Sequence, residues 1–261
     1  LGFVKSVNKA LARCGNHVAL VNTDVEVPEL WLERLMYPII MNEKVASSTP
    51  FTTCGTICSF PDFGKDNKLF EGKTLKEVDD IFQKIKPTYV EMPTGVGFCM
   101  GMNQKVLEKI GLLDADTFNM GYGEENDWCQ RAIKQGYVNV QVENLFVYHK
   151  HGGSFLDADK KKYLEENEKK LLKKHPNYNR EISYFCELNP NESVRTYVKL
   201  MLMESMYAEE TIVAFDHDLG GGATAYLLKL EQQELQRGRS FCTVRYEYET
   251  GRYKVQFRVK K

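Results

Sequence analysis

The chain has 261 residues, 43% of them hydrophobic, and a formal net charge of −1, enough for one large packed domain or two smaller ones. The near-neutral charge argues against nucleic acid as the main partner, and no apolar run approaches the ~20 residues of a membrane span. Seven cysteines lie scattered at 14, 54, 58, 99, 129, 186 and 242, which predicts reduced thiols in a cytosolic protein rather than a disulfide framework. Cys54 and Cys58 lack a second pair to complete a zinc site and read as core thiols. The start, Leu1 to Asn8, has no basic stretch followed by an apolar core, so it does not read as a signal peptide. Both ends read as cut from a longer chain: Leu1 already lies inside a helical pattern, and a strand-like run stops just before Lys261.

Phe3 to Ala12 predicts an amphipathic helix, with Phe3, Val7, Ala10 and Leu11 on one face. His17 to Val21 is a short apolar run, expected to be a buried parallel strand, with Asn22, Thr23 and Asp24 at its carboxyl end, where open α/β sheets bind ligands. A helix is expected over Glu29 to Asn42, then a strand from Val45 to Ser48 and a long loop from Pro50 to Lys73. Thr74 and Glu77 form a capping box at the start of a helix running to Ile85. Tyr89 to Met92 reads as a strand, and the glycine-rich Gly95 to Met102 as backbone packed closely against a ligand or another strand. Asn103 caps a helix from Gln104 to Ile110, and a second short helix is expected over Asp127 to Gln135. Two strand-like runs, Val138 to Val142 and Leu145 to Tyr148, deliver His149 at a strand end. Ala158 to His175 reads as a lysine- and glutamate-rich helix with a solvated face. Pro176 to Pro190 reads as irregular and linking, Ser193 to Ala208 as helical. Thr211 to Phe215, Gly220-Gly221-Gly222, a helix from Ala223 to Gln236, and strands Phe241 to Tyr248 and Tyr253 to Val259 form a second α/β unit.

Three features carry chemistry. Asp24 is a carboxylate at a strand end, suited to holding Mg²⁺ or Mn²⁺ against a diphosphate or, alternatively, to capping the following helix. Gly121-Tyr122-Gly123-Glu124-Glu125-Asn126-Asp127 puts three acids within four residues at a loop-to-helix junction. Successive helical residues face different directions, so one acid can face a cleft as a general base, another cap the helix and a third pair with Arg131. His149 is a candidate metal or phosphate ligand, followed by His151-Gly152-Gly153-Ser154.

Read together, Gly2 to Ala12 leading into Leu20 to Pro28 with Trp31-Leu32 after it, Thr56-Ile57-Cys58-Ser59-Phe60-Pro61, Thr94 to Met100, and Gly123 to Cys129 with Arg131 and His149 to Phe155 resemble glycosyltransferase family 2, of the GT-A fold. The likeness spans roughly residues 1 to 160 and lies nearest the bacterial rhamnosyltransferase-like and cell-surface polysaccharide enzymes. It implies a metal-dependent, inverting transfer of a sugar from a nucleotide-sugar donor to the hydroxyl of a glycan or lipid-linked glycan acceptor. Asn22-Thr23-Asp24 corresponds to the family's metal-binding Asp-x-Asp, and His149 completes the site for Mn²⁺ or Mg²⁺. Glu125 takes the place of the catalytic base, which is often Asp in the family. Asn22, Thr23, Gly95, Gly97, Glu124 and Asp127 are assigned to donor or acceptor binding. The location implied is cytoplasmic, at or near the inner face of the membrane. The family's opening strand and the acids that read the nucleotide base are missing upstream of Leu1, which implies weak donor binding by this chain alone.

The segment from Thr211 to Ala223 resembles the opening of a family 4 glycosyltransferase of the GT-B type, and Gly220, Gly222 and Ala225 fit a loose G-x-G-x-x-A fingerprint with Glu247 or Glu249 as its acid. The expected architecture is therefore α/β: a partial GT-A mixed sheet over residues 1–175, a linker and helix over 176–207, and an incomplete second Rossmann-like domain over 208–261. A sugar nucleotidyltransferase and a non-catalytic carbohydrate-binding piece are the alternative readings.

Overall fold

The computed structural model describes residues 2–70, 72–118, 121–150, 157–204, 206 and 210–259. Two compact units divide the chain, Leu1–Lys199 and Leu200–Lys261.

The first unit is built on a mixed sheet. Its strands are β1 (Val18–Val21), β2 (Val25–Glu26), β3 (Val45–Thr52), β4 (Tyr89–Met92), β5 (Cys99–Met102) and β6 (Val138–His149). The order is β1-β5-β3-β6-β2, and β4 also pairs with β6. β3 and β6 are parallel, whereas β5 runs antiparallel to both β1 and β3. The expectation of a mixed α/β sheet is met, but β1 is not a buried parallel strand. It pairs antiparallel with β5 and is only half-buried. Four apolar residues in a row are compatible with a central or an outer strand, and pairing is decided by distant sequence. The two runs expected around residues 138–148 form one twelve-residue strand.

Side chains alternate along β5 and sort the core into two layers. Met100 and Met102 enter a cluster with Val4 and Leu11 of α1 (Phe3–Leu11), Val106 and Leu107 of α4 (Gln104–Ile110), and Trp128 and Ala132 of α5 (Glu124–Lys134). Cys99 faces the other way, into a cluster with Leu35, Met36 and Ile39 of α2 (Trp31–Met41) and with Val140, Val142 and Val147 of β6. Gly101 lets α2 approach the sheet, since a Cβ there would collide with Ser48 Oγ and crowd Ile39. The expected apolar face of α1 is corrected: Val4 and Leu11 are buried, while Phe3 is 46% exposed and belongs to the site described below.

The capping box at α3 (Leu75–Phe82) forms as expected, with Glu77 N–H donating to Thr74 Oγ1 and Thr74 N–H to Glu77 Oε2. α3 also carries Asp79, which takes a bidentate ion pair from Arg34 of α2 at 3.0 and 2.6 Å and a bond from Phe146 N–H. This buried pair fixes both helices to β6.

The stretch 176–190, expected to be irregular, contains α7 (Tyr178–Leu188), and α8 spans Glu192–Glu204. Phe185 is buried in a cluster with Ile57 and Met92, joined by Ile182. Glu181 accepts a bond from Gln130 at 2.8 Å. Arg195 donates from Nε to Ser59 O at 2.8 Å and lies over the Phe63 ring. These contacts make 176–199 part of the first unit rather than a linker, because packing outweighs the weak local helical signal.

A second helix anchor is ionic. Asp127 of α5 is wholly buried and meets Arg131 Nε at 2.9 Å, Lys174 Nζ at 2.6 Å and His175 Nε2 at 2.8 Å. Lys174 ends α6 (Asp157–Lys174) and also pairs with Asp114 at 2.7 Å. Burial alone would raise the Asp127 pKa, but the bonds from Lys174, His175 and Arg131 outweigh it and hold the carboxyl below its usual value. Asp114 is likewise held low, its burial outweighed by Lys174 and Thr117.

In the second unit β7 (Thr211–His217) and β8 (Ser240–Glu247) are parallel, joined through α9 (Gly222–Gln236), and β9 (Arg252–Arg258) returns antiparallel to β8. The expected β-α-β start is present. Asp216 accepts from Thr224 Oγ1 at 2.9 Å, so the end of β7 is tied to the first turn of α9. Gly220 and Gly221 hold positive φ, 74° and 106°, as a tight strand-to-helix turn requires.

Asp127→Asn is expected to destabilise the chain by about 3–5 kcal/mol, because it strips the charge from a buried group that several cations face; urea denaturation checks this. Carboxyls with depressed folded-state pKa values stabilise above their unfolded pKa and lose that contribution as pH falls. Stability should therefore drop as pH falls below about 4, and by less in Asp127→Asn than in the wild type.

Candidate functional site

A cavity of about 750 Å³ opens in the first unit at the carboxyl ends of β1 and β6. β1 ends in a tight turn: Asn22 N–H donates to Phe98 O at 2.8 Å, and Val25 N–H to Asn22 O at 3.2 Å. Asn22, Thr23 and Asp24 all line the cavity. β2 then pairs Val25 with His149 at the end of β6, and Lys150 N–H donates to Asp24 O at 2.9 Å. Residues 125 apart in sequence are thereby brought side by side. His149 Nε2 lies 3.3 Å from Asp24 Oδ1, and its ring stacks on Phe98 at 5.5 Å.

His149 Nδ1 sits 3.1 Å from Cys54 O. A carbonyl oxygen only accepts, so Nδ1 carries the proton and Nε2 is directed at the carboxylate. With a neutral ring, Nε2 and Asp24 Oδ1 are two acceptors face to face, an arrangement that a proton or a cation between them relieves. An imidazole whose far nitrogen is bonded to a backbone carbonyl is the usual state of a metal-ligating histidine. The Asp-His donor set suits Mn²⁺ and related ions. Among the described residues no three His, Cys, Asp or Glu side chains converge on one point. A cation held by this pair would take its remaining ligands from outside these two side chains.

The acid cluster sits across the cavity. Gly121, Tyr122 and Gly123 all have positive φ, 100°, 67° and 115°. The two glycines take this at no steric cost, whereas Tyr122 is held in a conformation that non-glycine residues rarely adopt. The bend is pinned by Asn167 Nδ2, which donates to Gly121 O at 2.7 Å. It turns the chain into α5, whose first residues, Glu124 and Glu125, both line the cavity. Glu125 is partly exposed and accepts a long bond from Gly123 N–H at 3.4 Å. Glu124 is 6% exposed, and its Oε2 is buried with no hydrogen-bond partner. Burial raises the pKa of both acids, and each is affected by the other.

The residues assigned from sequence divide on this geometry. Asn22, Thr23, Asp24, Gly97, Glu124, Glu125 and His149 line one cavity. Gly95 and Asp127 do not. Gly95 donates its N–H to Cys129 Sγ at 3.1 Å and packs against Ser47 and Met100, while Asp127 belongs to the Arg131–Lys174–His175 anchor. His151 to Phe155 lie outside the described residues.

Tyr178 and Ile182 of α7, which were not singled out from sequence, also line the cavity, as does Phe3 of α1, which was read as a core residue. Burial is the main cause that raises the Tyr178 pKa, followed by the Glu125 charge, and Thr94 acts in the opposite direction. Thr94 Oγ1 in turn donates to Asn126 Oδ1 at 2.8 Å, tying the loop after β4 to the first turn of α5. Tyr178 and Ile182, four apart and flanked by Phe185, are an i, i+4 signal that would have marked this face.

No family model matches the chain, and no curated protein does. Among solved structures it matches GalNAc-T7, crystallised with UDP, GalNAc and Mn²⁺, at 14% identity and a TM-score of 0.43, over 78% of this chain and 44% of that one. The chain thus spans less than half of that protein's length, and a likeness of this size carries no argument about function.

Two glycines at the cavity should behave oppositely. A Cβ at Gly55 would meet Cys58 Sγ at 2.6 Å and Thr52 Cγ2 at 2.7 Å, so Gly55→Ala is expected to cost about 1–3 kcal/mol. At Gly97 the nearest atoms are Glu125 Cδ and Cγ at 3.7 Å, an ordinary contact, and Gly97→Ala should melt close to wild type. Thermal denaturation of both variants checks this.

Proposed function

We propose that the chain forms the metal and acceptor-activating part of an inverting glycosyltransferase that moves a sugar from a nucleotide-sugar donor to an acceptor hydroxyl. The observation that carries this reading is that one cavity is lined by the Asp24–His149 pair and by Glu125. The family 2 resemblance assigns these positions to metal and base, and the mixed sheet agrees with its GT-A fold. Asp24 and His149 would hold a Mn²⁺ or Mg²⁺ ion, which when bound supplies positive charge to the leaving diphosphate. Asn22 and Thr23, in the same turn, would bind the donor. Glu125 takes the proton of the acceptor hydroxyl. Its site favours that role, because burial raises its affinity for a proton above that of a solvent-exposed glutamate. Tyr122, Tyr178 and Ile182 supply the apolar wall that excludes water from the reacting groups.

Glu125→Gln keeps the shape and removes the base, so it is expected to lower kcat about 10²- to 10⁴-fold with little change in KM. Unchanged transfer would sink the assignment. Calorimetric titration with UDP- and dTDP-sugars should show Mn²⁺-dependent binding that is lost in both Asp24→Asn and His149→Ala. Binding that is indifferent to Mn²⁺ in the wild type would instead favour a carbohydrate-binding role. Release of pyrophosphate rather than nucleoside diphosphate would indicate a nucleotidyltransferase.

A further inference from the structure

The acid next to the base is unusual. Glu124 is buried, lines the same cavity as Glu125, and has a carboxyl oxygen that no donor reaches. A buried carboxylate oxygen without a donor carries a heavy desolvation cost, which it avoids by carrying a proton itself. Glu125 is differently placed. The Gly123 N–H just before α5 donates to its carboxyl at 3.4 Å, and the helix dipole favours negative charge there. The two side chains are neighbours at the start of α5 that line one cavity, each affects the proton affinity of the other, and two charged carboxylates side by side would repel.

We propose that Glu124 is a positioning residue that keeps its proton at neutral pH and donates it in a hydrogen bond to Glu125, holding Glu125 as the charged member of the pair. This rests on the base assignment only for its catalytic consequence. Other titratable groups around the pair are Tyr122 before α5, Cys129 on α5, and Tyr178 of α7, with Glu168 of α6 beside Tyr178. No cation is among the largest influences on either acid. In the transfer step the acceptor O–H bond breaks as its oxygen bonds to the anomeric carbon. The bond from that carbon to the diphosphate oxygen breaks, and its electron pair leaves with the nucleoside diphosphate. The proton ends on Glu125, leaving two neutral carboxylic acids, and one proton then passes to water to reset the pair.

Infrared spectroscopy of the 261-residue chain with labelled glutamate carboxyls tests the proposal without needing turnover. A protonated-carboxyl band is expected at pH 7, lost in Glu124→Gln. In Glu125→Gln, where the neighbouring charge is gone, the same band should titrate away at lower pH. The proposal is overturned by the absence of the band at pH 7, by a band that Glu124→Gln leaves intact, or by a titration that Glu125→Gln does not move. If Glu124→Gln does not fold, the Glu125→Gln titration decides. In transfer assays the acid limb of kcat/KM should rise by about one pH unit in Glu124→Leu, which has no donor, and return toward wild type in Glu124→Gln, whose amide donates. A band that behaves as expected alongside full activity of Glu125→Gln would remove the base assignment and leave the shared proton standing.

Discussion

The bond from Lys150 N–H to Asp24 O, with the short β2–β6 pairing around it, is the interaction on which the site depends. Asp24 and His149 come from opposite ends of the first unit's sequence, and neither has reason to meet the other except through this pairing. β6 can deliver His149 there because its length is fixed upstream. Val140, Val142 and Val147 are locked into the α2 layer, and Arg34–Asp79 holds Phe146 N–H from the α3 side. A slip of one residue in β6 would turn every core side chain to the wrong face, so the apolar packing of the strand sets the position of the histidine at its end.

The same logic separates the three acids of the α5 entrance. Each successive residue on a helix turns by about 100°, so Glu124, Glu125 and Asp127 leave α5 in different directions. Asp127 points inward to where α6 ends, where it pairs with Lys174 and Arg131 and is hydrogen-bonded to His175. Glu124 and Glu125 point to the cavity and have no cation partner among their main influences. One acid thus stabilises the fold by facing cations, while its neighbours face the cavity, a difference that no single-residue property reveals.

Local signals were legible in the sequence where chemistry is local. The Thr74–Glu77 capping box, the Asn103 cap and the strand Tyr89–Met92 all stand as read, because each depends on residues within one turn or one strand. Asn22, Thr23, Asp24, Glu124, Glu125 and His149 were legible as cavity residues too, since strand ends and the glycine-bounded bend mark where backbone leaves the sheet. The failures share one cause: long-range partners. The antiparallel pairing of β1 depends on β5, eighty residues on. The exclusion of Asp127 from the cavity depends on Lys174 and His175. α7 reads as a loop because prolines at 176 and 190 bracket a polar stretch, and its helical character is supplied by contacts of Phe185 and Glu181 with segments far upstream.

α7 also bears on how such a site diversifies. Tyr178 and Ile182 form part of the cavity wall beside Glu125, yet they lie beyond the stretch that carries the motif chemistry. The wall and the reacting groups therefore sit on separate segments of the chain. Exchange of this one helix is a route by which an ancestral site would acquire a new fit to its ligand while its acids and histidine stay as they are.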